Sequence, residues 1–388
     1  MQEIIEVRKR SEAENNNNKI RRRSLIAKKL MCFGSNNYGV ETVDQVDENG
    51  NVDMTSANGG EGQKCPTHLV VMVNGLIGSA HNWRYAAKQF LKNYPEDIIV
   101  HCSERNSSLL TFNGVDVMGC RLANEVISVI KRHPNLQKIS FIGHSLGGLI
   151  ARYAIAKLYT NDTINNHGSE SISSERIAGL VPINFITVAT PHLGTGGHRQ
   201  VPMFGGSNTV EKVAHQISWV LGRTGRHLFL TDKARGNPPL LLQMVNDCED
   251  LKFFSALQSF KRHVTYANAH FDHIVGWSTS SIRRRNELPQ RKQLVRSGKY
   301  PHILKGDVST ITQGSSIELK VNSFKTATAS MEETMIRGLT KISWERVDVS
   351  FKGSKQRYFA HNTIQVNTPW MNSDGADIIQ HIVDNFHL

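Results

Sequence analysis

The stretch Lys138-Ile139-Ser140-Phe141-Ile142-Gly143-His144-Ser145-Leu146-Gly147-Gly148-Leu149-Ile150-Ala151-Arg152-Tyr153 changes character at its middle. A short apolar run, rich in Ile and Phe, ends in Gly-His-Ser-Leu-Gly. Apolar residues at helical spacing follow at Leu149, Ile150, Tyr153, Ala154 and Leu158. The pattern predicts a strand, a tight turn and a helix. In a Gly-x-Ser-x-Gly turn the serine is held in a strained conformation that lifts its hydroxyl clear of the sheet edge. The flanking glycines, Gly143 and Gly147, are expected because a side chain there would collide with the neighbouring strand or helix. The following helix aims its N-terminus at the serine. Its free N–H groups and positive dipole end favour negative charge developing during acyl transfer.

Outside this stretch the chain alternates strand and helix. His68 to Val73 is a continuous apolar run, as in a parallel strand buried on both faces. It ends in the glycine-bearing loop Asn74-Gly75-Leu76-Ile77-Gly78-Ser79, and Asn82 to Ala87 opens a helix. Further strands are expected at Asp97–His101, Ile183–Ala189, Arg262–Ala269 and Ser343–Phe351, with helices at Val117–Arg132 and Gly375–Phe386. Residues 161–174 and 283–306 read as loops. Such alternation at short spacing argues for one mostly parallel central sheet with helices on both faces.

Two segments depart from the rhythm. Residues 1–64 hold four consecutive asparagines (Asn15 to Asn18), a basic cluster and a Gly/Asn/Asp/Glu-rich tail, and read as a disordered basic and polar arm before a domain at 65–388. Residues 195–260 carry apolar clusters separated by Gly, Pro and charge. They are expected to form a helical insertion near the active site, serving either as a lid or acyl-pocket wall or as ordinary packing.

Composition narrows the class. The 388 residues are 39% hydrophobic with a mean hydropathy of −0.35, which fits a soluble globular chain. No apolar run is long enough to span a bilayer. The acidic start Met1-Gln2-Glu3-Ile4-Ile5-Glu6 lacks a signal-peptide core, so a cytoplasmic location is expected. Five scattered cysteines, Cys32, Cys65, Cys102, Cys120 and Cys248, form no CxxC pair, and read as reduced thiols, not a metal site. The net charge of +12 is concentrated at residues 19–29 and 283–299. Neither run carries the interleaved aromatics of an RNA platform, so nucleic acid is not expected as a partner. Peripheral contact with an anionic membrane is the alternative to plain solvated loops.

Serine needs a base to attack an ester, and the base needs an orienting carboxylate. On this kind of sheet the three arrive in the chain order serine, acid, histidine, each after a strand. Asp272 follows a predicted strand and fits the acid. Among the later histidines, His273 adjoins the acid, His302 lies in the basic segment, and His381 and His387 sit on or past the last helix. His361 follows the late strand and is the expected base, with His381 as its rival. Backbone N–H groups of Leu76 and Leu146 are the expected oxyanion donors.

Val71 to Ser79, the Gly-His-Ser-Leu-Gly-Gly-Leu elbow and Ala189-Thr190-Pro191-His192-Leu193-Gly194 together resemble the eukaryotic putative serine esterase (lipase-like) family, especially its plant members. Asp272 to Trp277 and Ala360 to Ile364 are similar to its later blocks, and the resemblance covers residues 67–388. It implies an α/β-hydrolase fold, hydrolysis of carboxylic esters, lipid-like substrates and a triad at Ser145, Asp272 and His361; a serine hydrolase working this way is expected to need no metal or organic cofactor. Many lipases carry His-Gly in the oxyanion loop where this chain has Asn74-Gly75. His192 precedes the acid and is expected to be structural. The competing readings are a hydrolase-fold scaffold without turnover, and an acyltransferase or thioesterase on the same triad.

Overall fold

The computed structural model describes residues 42–46, 52–56, 65–164, 172–195, 221–233, 236–306 and 327–388. Twelve strands are described: β1 (Thr42–Val46), β2 (Val52–Ser56), β3 (His68–Val73), β4 (Ile98–Cys102), β5 (Lys138–His144), β6 (Tyr159–Ile164), β7 (Ile172–Ile177), β8 (Val181–Val188), β9 (Arg262–Asn268), β10 (Leu294–Arg296), β11 (Ile303–Gly306) and β12 (Glu345–Val349). Ten of them form one sheet in the order β1-β2-β4-β3-β5-β8-β9-β12-β11-β10. The inner six, β4 to β12, run parallel, and an antiparallel pair closes each edge. This is the α/β-hydrolase fold.

Alternation along β3 explains its unbroken apolar run. Leu69, Val71 and Val73 face a core shared with α1 (Val115–Arg132) and α2 (Leu146–Leu158), while Val70 and Met72 face a second core built with the helices Arg84–Asn93 and Ala376–Asp384. Every side chain of the strand is buried. Each such aliphatic side chain contributes roughly 1.5–3 kcal/mol on leaving water, so a strand covered on both faces is strongly fixed in place.

Several expectations need correction. Strands β1 and β2 fall inside the span read as a disordered arm; the rest of that span, the basic cluster included, lies outside the described residues. Strand β2 is held by charge as much as by apolar burial. Asp53 on β2 accepts from His101 Nδ1 at 2.7 Å, from Arg132 Nη2 at 2.7 Å and from His133 Nε2 at 3.0 Å. His101 Nε2 meets Glu125 Oε1 at 3.1 Å. Burial pulls the His101 pKa down, but the two carboxylates on its ring nitrogens outweigh that and hold it at about 9. An isolated five-residue polar segment carries no sign of partners 48 to 80 positions away, so its sequence alone reads as arm.

The polar loop expected at 161–174 includes parts of a hairpin, β6 with β7. The basic stretch 283–306 contributes β10 and β11 to the sheet edge. Within the expected insertion, the helices at Gly222–Leu228, Leu240–Gln243 and Phe253–Gln258 bury Leu228, Leu241 and Phe253 in the core beside α2. For these residues ordinary packing is what is observed. Residues 196–220, where a lid would begin, lie outside the described residues. A helix without a clear signal in the sequence, Ala327–Leu339, adds Met335, Ile336 and Leu339 to the same core.

Candidate active site

The parallel strands end together, and the loops leaving β3, β4, β5, β8, β9 and β12 share that edge. Ser145 sits between β5 and α2 with φ 54° and ψ −126°, a left-handed φ for a side-chain-bearing residue. Such a conformation costs on the order of 1–3 kcal/mol and persists only when its surroundings over-determine it. Here the Ser145 N–H donates to Val188 O at 2.8 Å. The turn is also too tight for side chains on either flank. A Cβ on Gly143 would lie 2.6 Å from Gly148 Cα, and one on Gly147 would lie 2.2 Å from Val73 O. The elbow glycines are therefore demanded by contact, as expected.

Three side chains distant in sequence meet here. Ser145 Oγ lies 2.9 Å from His361 Nε2, and His361 Nδ1 lies 3.0 Å from Asp272 Oδ2. A carboxylate can only accept, so Nδ1 carries the proton and Nε2 is left as acceptor for the serine hydroxyl. All three residues are buried. Asp272 follows β9 directly after Phe271, another residue with positive φ. Its Oδ1 accepts from the N–H groups of Ile274 (3.0 Å) and Val275 (2.8 Å), and its Oδ2 also accepts from Asn268 Nδ2 at 2.9 Å. Burial alone would raise the carboxyl's pKa. The His361 charge and hydrogen bond, with the Val275 N–H and Asn268, outweigh burial and keep it below the ordinary value.

His381, the rival base, is elsewhere: its Nδ1 pairs with Tyr266 OH at 2.8 Å under the last helix. His302 is paired with Asp377 at 3.0 Å. His192 is fully buried, its Nε2 2.9 Å from Thr187 Oγ1, which fits a structural role. Leu146 opens α2 immediately after the serine. Leu76 follows Gly75, where a Cβ would lie only 2.8 Å from Ser145 Cβ, so this loop lies directly against Ser145. The N–H groups of Leu76 and Leu146 have no hydrogen-bond partner among the described residues. Asn74, the departure from His-Gly, is a brace for this loop: its Nδ2 donates to Asn106 O at 2.9 Å and Gly75 O at 3.2 Å.

Two supporting residues give no functional signal in the sequence. Asn268 steadies the acid as described. His144, the variable residue of the elbow, donates from Nε2 to the His361 carbonyl at 2.7 Å. Burial, with the neighbouring His361, pushes the His144 pKa down to about 3, so it stays neutral and holds the backbone of His361. Its position inside a buried turn is visible in the sequence, but nothing there indicates a partner 217 residues on.

The family described as "Putative serine esterase (DUF676)" matches residues 63–282, more than half of the chain. Among related sequences, the chain is 32% identical over 249 residues to "Putative lipase ROG1" of Saccharomyces cerevisiae, covering 63% of this chain and 33% of that protein. It is 31% identical over 221 residues to "Putative lipase YDL109C" of the same yeast, covering 56% and 30%. The chain thus spans about a third of the length of these relatives. Among solved structures it is similar to carboxyl esterase 2 of the fungus Tuber melanosporum, with 9% identity, a TM-score of 0.38, and coverage of 92% of this chain and 90% of that one.

Proposed function

The chain belongs to the putative serine esterase family, and we propose that it is a serine hydrolase cleaving carboxylic acyl esters through Ser145, His361 and Asp272. One observation carries this reading: the unbroken hydrogen-bond chain from Ser145 Oγ through His361 to a fully engaged, ionised Asp272. In the reaction, Ser145 Oγ attacks the ester carbonyl as its proton passes to His361 Nε2. The N–H groups of Leu76 and Leu146 take the oxyanion. His361 returns the proton to the leaving alcohol, and a water activated by the same nitrogen releases the acid from the acyl-enzyme. Asp272 holds the imidazole in its required tautomer and stabilises the imidazolium without accepting the proton.

A lipid-type ester is the substrate class we infer. Seven large apolar side chains are more than half exposed among the described residues, and six of them stand on the loops and short helices that follow the strands carrying this site. Ile77 is on the oxyanion loop, Leu109 on the short helix Ser108–Phe112 after β4, and Ile274 beside the acid. Tyr358, Phe359 and Trp370 flank the base. Cross-links tie these loops into one rim: Ser108 N–H to Gly78 O at 3.0 Å, Asn82 to Asn367, and the Phe271 and Tyr358 rings 6.3 Å apart. Exposed apolar groups gathered in one place suit an apolar partner, here the acyl chains of the substrate or the surface that carries them. Peripheral contact with anionic membranes and a cytoplasmic location belong to the same reading. Four free cysteines among the described residues support the second. No helix among the described residues is long and apolar enough to cross a membrane. Kinship with the plant members rests on the sequence blocks themselves.

The test is labelling by a fluorophosphonate probe beside hydrolysis of p-nitrophenyl butyrate. Wild-type protein should label and turn over, and Ser145→Ala should do neither while remaining folded. A folded wild type that neither labels nor hydrolyses would return the chain to the scaffold reading.

A further inference from the structure

A cavity of about 410 Å³ lies against the acid loop, Asn268 to His273, and neither Ser145 nor His361 is in its lining. Ala269, Phe271, Trp277 and Leu288 give it an apolar lining, and Trp277 is fixed by its Nε1–H donating to Asp348 at 2.7 Å. Arg285 and Arg291 border it, the latter with its guanidinium 5.9 Å from the Trp277 ring centre. Both belong to the basic run that the catalytic site leaves unexplained. The other members of its arginine triplet are neutralised: Arg283 by Asp348 at 2.8 Å, and Arg284 by Glu287 and Glu333, each at 2.7 Å. By contrast, the guanidinium groups of Arg285 and Arg291 have no carboxylate partner among the described residues.

The lining contains a single acid, Asp272, and all of its acceptor capacity is already used by His361, Asn268 and two backbone N–H groups. Two histidines complete the border. Burial and the nearby charges of Arg291 and Lys352 hold the His270 pKa below its ordinary value, which registers a positive local potential. The size is within the range of small-molecule sites. An unpaired pair of guanidinium groups above an aromatic and aliphatic lining matches a ligand that is anionic at one end and apolar at the other. The surroundings extend that character outward. Arg357 stacks 5.8 Å over Phe271, and the exposed Ile274 and Tyr358 stand next to the cavity wall.

We infer that this cavity binds the headgroup of an anionic amphiphile, a phosphate or carboxylate bearing an apolar chain. Arg285 and Arg291 take the anion, and Phe271, Trp277 and Leu288 take the first part of the chain. The site requires no turnover, so it is tested on Ser145→Ala protein and stands or falls separately from the esterase reading.

Isothermal titration of that 388-residue protein with monomeric dioctanoyl phosphatidic acid should show saturable binding that depends on the arginine pair. Adding Arg285→Gln/Arg291→Gln should weaken it at least tenfold. Lys131→Gln/Lys157→Gln, which removes the same charge elsewhere, should leave it unchanged. A second variant, Leu288→Glu, places an acid in the lining and should also abolish binding, with the thermal midpoint of each variant reporting its fold. Inorganic phosphate should bind far more weakly, and dioctanoyl phosphatidylcholine should not compete. The inference is overturned by absence of binding, by equal affinity in the arginine variant, or by equal affinity for phosphatidylcholine. Phosphate binding as tightly as the amphiphile would overturn the apolar half of the assignment.

Discussion

Replacing Asp272 by asparagine tests the geometry at its most sensitive point. Four donors converge on the carboxylate: His361 Nδ1 at 3.0 Å, Asn268 Nδ2 at 2.9 Å, Ile274 N at 3.0 Å and Val275 N at 2.8 Å. Asparagine has one acceptor oxygen and one donor NH₂. Turning the oxygen toward His361 would leave the NH₂ facing two backbone N–H groups, at about 1–3 kcal/mol for each unpaired donor. Turning it toward the backbone leaves the NH₂ facing Asn268 and His361. The second orientation wins, because the His361 ring can adapt by moving its proton from Nδ1 to Nε2. That proton then points at Ser145 Oγ, and the base is lost. In serine proteases of the chymotrypsin type, the same replacement yields the wrong tautomer and lowers kcat about 10⁴-fold, equivalent to about 5 kcal/mol. The same order is expected here. The assay is kcat and KM on p-nitrophenyl butyrate, with the rate of fluorophosphonate labelling as a substrate-independent check and a urea midpoint to establish that the fold survives. A folded variant whose kcat falls less than tenfold, or whose loss lies wholly in KM, would refute the tautomer argument.

Two further outcomes follow from buried histidines. His144→Phe removes the donor to the His361 carbonyl and leaves that oxygen unpaired, a loss of about 1–3 kcal/mol. Labelling should slow by ten- to a hundredfold with KM unchanged, and His144→Gln should recover part of it; equal rates in all three proteins would show that the contact does not position the base. His101→Phe leaves Glu125 buried without a cationic partner, while Asp53 keeps Arg132 and His133, and should cost about 3–5 kcal/mol in urea unfolding. Because the His101 pKa is raised from 6.5 to about 9 on folding, its contribution is complete below pH 6.5 and is lost as pH rises through 9. Wild-type stability should therefore fall by roughly 3 kcal/mol across that window relative to the variant; parallel pH profiles would contradict the assignment.

Much of this architecture is written in local patterns. The strands β3, β5, β8 and β9 are buried along almost their whole length because helices cover both faces of a parallel sheet, and that requirement acts on every residue of the strand. The elbow is equally local. Gly143, Ser145 and Gly147 must satisfy the backbone geometry of a single turn, so their spacing alone announces it. Chain order narrows the base to a few histidines and leaves His361 and His381 in competition. That choice is decided in three dimensions: β12 and the short turn at Ala360–Thr363 carry one imidazole to the serine, while the last helix carries the other to Tyr266. The same holds for Asp53, whose polar strand joins the sheet through charges contributed by β4 and α1, and for His144 against the backbone of His361. Periodicity records how a residue faces its own element, whereas the partner of a buried polar group depends on which crossovers bring distant strand ends together. Sequence by itself determined the parallel centre of the sheet, the elbow and the order of the chemistry. Only the tertiary structure decided which polar groups meet, and left Arg285 and Arg291 without a carboxylate partner among the described residues, beside the cavity at Trp277.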